Sequence, residues 1–201
     1  MELVDIINQC GVPPGVVNLL SGDPPSIASQ LISSDIVKKI SLTGSTRVGK
    51  IVLRQAAEKI QRVTMELSGH APFIVHADAN VEKATDIAMA AKYRNNGQVC
   101  ISPSRFYIHE SKKKEFTKSF VDKTLKLKIG NGTDKDVQLG PITTKKRLEE
   151  IEKLVEVTKK EGGKILCGGK RPSGFNKGYF YEPTIFDNVK DNFKIMTEEP
   201  F

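Results

Sequence analysis

The sequence lacks the cysteine spacing of a disulfide framework or a zinc site. Its three cysteines, Cys10, Cys100 and Cys167, are an odd number, far apart, with no C-x-x-C pair. That pattern points to a reducing compartment and a cytoplasmic location. A secretory leader is not indicated either, because "MELVDIINQC" has no basic start and no long apolar run. No segment approaches the ~20 apolar residues of a membrane span, so no membrane partner is expected. His70, His76 and His109 form no metal-like cluster and carry no assigned role, and internal repeats and low-complexity tracts are absent. The chain has 201 residues, of which 38% are hydrophobic, enough for one good core or two small ones in a soluble globular protein.

Charge is what the sequence has in excess. A formal net charge of +7 raises the possibility of nucleic acid, but the lysines fall in stretches such as "SKKKEFTKSF" and "TTKKRLEEIEKLVEVTKKEGGK", mixed with acids. Solvated helix faces account for that pattern, and no nucleic-acid partner is expected.

Hydrophobic periodicity alternates along the chain. "ELVDIINQCG" reads as a helix ending at Gly11, "GVVNLL" as a short strand and "PSIASQLISS" as a helix. "IVKKISLTG" is a strand entering a glycine turn, and "RVGKIVLRQAAEKI" has helical spacing. Strands follow at "QRVTMEL" and "APFIVHA", then a helix at "NVEKATDIAMAAKYRN". Beyond Cys100 come a strand "RFYIHE", helices "SKKKEFTKSFVDKTLKL" and "TTKKRLEEIEKLVEVTKKEG", and strands "KILCGG" and "GYFYEPTIF". Such alternation predicts βαβ units with parallel sheet, an α/β fold.

One motif invites a misreading. "GSTRVGK", Gly44 to Lys50, matches G-x-x-x-x-G-K after a strand, as in a P-loop nucleotide-binding protein. Ile51 then stands where Ser or Thr is needed for magnesium, and only Asp78 offers an acidic partner. What remains is a softer expectation: N–H groups at a Gly-Ser helix start suit a pyrophosphate.

The stretch "YRNNGQVCISPSR" sets Cys100 after a glycine turn. Alone, such a cysteine is equally a small apolar core residue, and Glu66 alone is a strand-end surface acid. Taken together, "SLTGST", "MELSG", "NNGQVC" and the terminal "EEPF" resemble the aldehyde dehydrogenase superfamily over essentially the whole chain. The 34 residues from Glu66 to Cys100 agree with that family's separation of base and nucleophile. Within it, "YRN" is most similar to the "FRN" of succinate semialdehyde dehydrogenases.

The resemblance implies a fold and a set of roles. Residues 1–68 would be the C-terminal part of a Rossmann-like NAD(P)-binding domain, and residues 69–201 an incomplete catalytic domain. Cys100 would be the nucleophile and Glu66 the base that activates water. Gly44 and Ser45 would hold the dinucleotide pyrophosphate, Leu67 and Ser68 line the nicotinamide pocket, Glu199 bind the ribose hydroxyls and Phe201 pack near the nicotinamide. Ser68 departs from the family's common glycine, and its side chain would narrow that pocket slightly. Arg94, six residues before Cys100, would receive a substrate carboxylate through two parallel hydrogen bonds. Ser102 stands where some relatives carry a second cysteine, so a disulfide switch is not expected. Cys10 and Cys167 match no role and are expected to fill core or sub-surface space.

Chemically the assignment is coherent. An aldehyde must form a tetrahedral adduct before it can lose hydride, and a thiolate forms one readily. The free thiol has a pKa of about 8.5, so nearby positive charge or N–H groups must favour the thiolate. The resemblance further implies NAD or NADP as cofactor, a small aldehyde substrate and a homo-oligomer, dimer or tetramer. It also implies that the chain is a fragment, starting within a cofactor-domain helix and stopping in mid-motif, with sheet edges that associate.

Overall fold

The computed structural model describes residues 1–201, which form two compact units, Met1–Leu67 and Ser68–Phe201. The first contains α1 (Glu2–Gln9), α2 (Pro24–Ser33), β1 (Lys39–Gly44), α3 (Thr46–Ala57) and β2 (Arg62–Leu67). The second contains β3 (Ala71–Val75), α4 (Val81–Tyr93), a helical turn over Arg94–Gly97, β4 (Pro103–Ile108), α5 (Glu110–Thr124), α6 (Lys145–Lys160), β5 (Lys164–Cys167), β6 (Ile185–Asp187) and α7 (Lys194–Thr197).

Both predicted crossover units are present. β1 pairs parallel to β2 across α3, and β3 pairs parallel to β4 across α4. The chain is therefore α/β, as its alternation predicts. The third pair, β5 with β6, is antiparallel.

Local chemistry sets the helix starts. Ser45 accepts a hydrogen bond from Val48 N at 3.3 Å, Asn80 from Lys83 N at 2.9 Å and Thr144 from Arg147 N at 3.1 Å, each satisfying an otherwise unpaired N–H. Pro24 opens α2, where a missing N–H costs nothing. The lysine-rich helices α5 and α6 bury only Phe116, Phe120 and Thr124, and Leu148, Val155 and Thr158. Several of their lysines pair with acids on the same helix, such as Lys118 with Asp122 at 2.9 Å.

Each unit has its own core. In the first, Ile32, Val52 and Ala56 pack with Ile40, Leu42 and Met65, joining α2 and α3 to the sheet. In the second, Val75, Val81, Ala88, Phe116 and Phe120 pack with Phe73, Tyr93 and Phe106. The Phe106 and Phe120 rings lie 5.2 Å apart and tilted, a favourable aromatic arrangement.

Three sequence expectations fail. "GVVNLL" is not a strand: Gly15 has φ 87°, no strand pairs with the run, and Val16 and Leu20 are 66% and 63% exposed. "GYFYEPTIF" is extended only at its end, because pairing with β5 begins at Ile185. Cys10 is exposed, not sub-surface, because it caps α1, a helix that buries none of its residues. Cys167 is buried, as expected.

Candidate active site

In the first unit, two strand ends bring four of the expected residues together. Gly44 and Leu67 are register partners at the ends of β1 and β2, and Thr43 is paired with Glu66 one position earlier. Ser45 follows at once as the cap of α3. Glu66 is exposed and Leu67 half-buried.

Helix α3 begins at Thr46, so Gly49 and Lys50 lie inside it and not in a phosphate-wrapping loop. This rules out the P-loop reading. Gly49 has a packing reason instead, since a Cβ there would sit 2.7 Å from Leu67 Cδ2. Gly44 has none: a Cβ would meet nothing nearer than Leu42 Cδ1 at 3.8 Å. Bare backbone that the protein itself does not require, at a helix N-terminus, is open to close approach by a ligand, which fits a dinucleotide pyrophosphate.

In the second unit, Cys100 is exposed on a loop of unusual backbone. Asn95, Asn96 and Gly97 take φ of 49°, 59° and 76°, three left-handed residues in succession. Asparagine and glycine tolerate that region best, and two non-glycine residues in it store strain the surroundings must hold.

The surroundings do so through side chains. Asn96 Oδ1 accepts from Gly140 N at 2.8 Å, and its Nδ2 donates to Pro141 O at 3.0 Å. Gln98 Oε1 accepts from both Thr143 N at 3.0 Å and Thr143 Oγ1 at 2.7 Å. Ser102 Oγ donates to Lys92 O at 3.2 Å. A thiol is thus displayed on a loop clamped at both flanks. Gly69 lies beneath it so closely that a Cβ would stand 3.0 Å from Cys100 O.

Arg94 ends α4, is exposed and forms no ion pair or hydrogen bond, so it is not an arginine spent on a neighbouring acid. Glu199 and Phe201 follow α7. Arg147 on α6 hydrogen-bonds Pro200 O between them, and its guanidinium carbon lies 5.9 Å from the Phe201 ring centroid.

A cavity of about 520 Å³ runs through this unit behind the Cys100 loop, lined by His70, Lys92, Asn96, Gly97, Arg147 and Ile195 among others; Cys100 is not among its lining residues. Sequence reading assigned nothing to His70 or Lys92. Burial without an ion-pair partner pushes Lys92 down to about 8. The folded protein therefore holds less proton than the unfolded chain between pH 8 and the normal lysine range. Stability gained from this group rises with pH across that window and is absent below it. The raised Cys167 thiol acts in the opposite sense over part of that window, so the expected signature is a difference: from pH 8 to pH 10 the melting temperature of the parent should change more favourably than that of Lys92→Met. An identical change in both would refute the assignment.

Comparison with known proteins bears on the family of the chain. The family model described as "Aldehyde dehydrogenase family" matches residues 1–201. The chain belongs to the aldehyde dehydrogenase family. Among relatives, aldehyde dehydrogenase 1A1 of Equus caballus is 40% identical over 202 residues, covering 100% of this chain and 40% of that protein. The NADP(+) succinate-semialdehyde dehydrogenase of Escherichia coli K12 is 36% identical over 201 residues, covering 100% and 41%. A crystal structure of Staphylococcus aureus betaine aldehyde dehydrogenase in complex with NAD+ superposes with a TM-score of 0.95 at 33% identity, covering 99% of this chain and 40% of that one. The chain thus spans about 40% of the length of the relatives it matches.

Proposed function

We propose that the protein oxidises an aldehyde to a carboxylic acid with NAD or NADP, through a thiohemiacetal and a thioester on Cys100. The observation that carries this reading is the exposed Cys100 on a strained, side-chain-clamped loop, in a chain of the aldehyde dehydrogenase family. Met1–Leu67 would serve as the C-terminal part of a cofactor domain and Ser68–Phe201 as part of a catalytic domain, within a cytoplasmic homo-oligomer.

Cys100 Sγ attacks the aldehyde carbon as thiolate, giving a tetrahedral adduct whose oxyanion needs N–H donors. Gly44 and Ser45 would hold the dinucleotide pyrophosphate and Glu199 the ribose, while Leu67 would line the nicotinamide pocket and Phe201 pack against the ring. A dinucleotide held there would supply the hydride acceptor. Glu66 then takes a proton from water, which attacks the thioester, frees the acid and returns the thiol.

Arg94 would select the substrate. An exposed guanidinium with no partner, six residues from the nucleophile, is suited to grip the far carboxylate of a short semialdehyde such as succinate semialdehyde. Arg94→Ala is expected to raise KM for succinate semialdehyde roughly 10-fold to 150-fold, the worth of a charged hydrogen bond, and to leave an uncharged aldehyde of similar length nearly unaffected. Arg94→Lys should recover part of the loss. Equal weakening of both substrates would make the protein a general aldehyde dehydrogenase and Arg94 a loop-shaping residue. A panel of aldehydes with each dinucleotide tests the wider reading.

A further inference from the structure

His70 joins parts of the chain that sequence keeps far apart. Its Nδ1 lies 2.5 Å from Ser104 Oγ, 34 residues away, and its Nε2 lies 2.8 Å from Ile195 O, 125 residues away. Arg105 Nε donates to the His70 carbonyl at 2.8 Å, so the backbone carrying the ring is itself fixed.

These partners dictate the tautomer. A carbonyl oxygen only accepts, so Nε2 must carry the proton that goes to Ile195 O. Burial, helped by the charges of Arg105 and Lys92, holds the imidazole below the usual histidine range, although the bond to Ile195 and the charge of Glu199 oppose this. The neutral ring has one proton, so Nδ1 is an acceptor and the Ser104 hydroxyl donates to it. A directed chain results: Ser104 Oγ–H to His70 Nδ1, then His70 Nε2–H to Ile195 O.

Ile195 begins the segment that ends in Glu199 and Phe201. That segment contains only the four-residue α7, which buries none of its residues, so little apolar packing holds it. Arg147 fastens its far end at Pro200 O, and His70 fastens its near end beside Glu161, which accepts from Lys194 N at 3.0 Å. Glu199 lies between the two attachments and close enough for its charge to act on the ring.

We propose that His70, oriented by Ser104, is a positioning residue that holds the Glu199 segment in place for a nicotinamide dinucleotide. The proposal rests on the dehydrogenase reading above, and gives His70 no contact with the reacting atoms.

The test compares parent, His70→Leu, His70→Asn and Ser104→Ala in three measurements. These are NAD+ and NADP+ affinity, KM for dinucleotide against KM for aldehyde, and the alkylation rate of Cys100 by iodoacetamide, followed by peptide mass. His70→Leu should weaken dinucleotide affinity and raise dinucleotide KM about 10-fold, the loss of one organising hydrogen bond. Aldehyde KM and Cys100 alkylation should stay within about 2-fold of the parent. His70→Asn, which keeps a donor, should restore part of the affinity, and Ser104→Ala should lose less than His70→Leu. If His70→Leu does not fold, His70→Asn and Ser104→Ala decide the matter by the same selective loss. Unchanged dinucleotide affinity, or equal losses in all three measurements, would overturn the proposal and leave the dehydrogenase reading standing. A parent that binds neither dinucleotide would overturn both.

Discussion

Cys100→Ala should abolish dehydrogenase turnover, a loss on the order of 10⁴-fold or more, because without the thiolate no adduct forms and the aldehyde hydrogen stays on an electron-poor carbon. Neither other cysteine is a substitute: Cys167 is buried and Cys10 caps α1 in the other unit. Burial also pushes the Cys167 thiol up, away from the reactive form. Glu66→Gln should behave differently. In the proposed reaction its carboxylate acts after hydride has left, so a rapid-mixing record of reduced nicotinamide should retain its first-turnover burst while steady turnover falls roughly 10²-fold to 10⁴-fold. Loss of the burst in the Glu66 variant would place the carboxylate in the first half-reaction and refute this division of roles. The exposed Cys100 should also take up iodoacetamide much faster than buried Cys167; equal rates would argue for a non-catalytic cysteine.

Gly168→Ala is expected to be the most damaging single-methyl change to stability. Gly168 follows β5 with φ 72°, and a Cβ there would fall 2.1 Å from Pro183 O. Both effects oppose alanine. The left-handed backbone costs an L-residue about 1–2 kcal/mol, and overpacking against main chain adds roughly 1–3 kcal/mol. The neighbour is a carbonyl in the strand approach to β6, not the mobile end of a side chain, so relief requires moving backbone. Gly169 N also donates to Thr184 Oγ1 at 2.8 Å, pinning the same turn. A total of about 2–5 kcal/mol corresponds to roughly 10 °C in melting temperature for a domain of this size. A shift under about 2 °C would mean the 183–184 segment gives way easily.

How far the sequence discloses this protein depends on the range of the interaction. Strand-helix alternation with recognisable caps at Ser45, Asn80 and Thr144 is local, and there the predicted elements and the parallel pairs agree with the structure. The motif around Cys100 is also local and legible. "GVVNLL" has strand composition but no partner, and composition cannot announce a missing neighbour. The clamp by Gln98 and Thr143 spans 45 residues, and the bridge from His70 to Ile195 spans 125. Nothing in "SGHAP" distinguishes a histidine that ties down a distant segment from one facing solvent. Its place directly after the Gly69 that meets the Cys100 carbonyl is the nearest thing to a signal, and it is visible only once the chain is folded.

The length of that last bridge bears on the order of folding. Both parallel pairs close over a single crossover helix, so their contacts form between neighbours in sequence. Joining His70 to Ile195 closes a loop of 125 residues, against 34 for His70 to Ser104. By the logarithmic cost of loop closure the longer link is about 1 kcal/mol more expensive in chain entropy. To offset that cost its segment has no fully buried residue, only half-buried Ile195, Met196 and Pro200 and the polar ties to Arg147 and Glu161. Amides after Lys194 should therefore be among the last in Ser68–Phe201 to gain hydrogen-exchange protection during refolding and the first to lose it under mild denaturant. The Cys100 loop, clamped nearer in sequence, would be assembled before the segment bearing Glu199 docks.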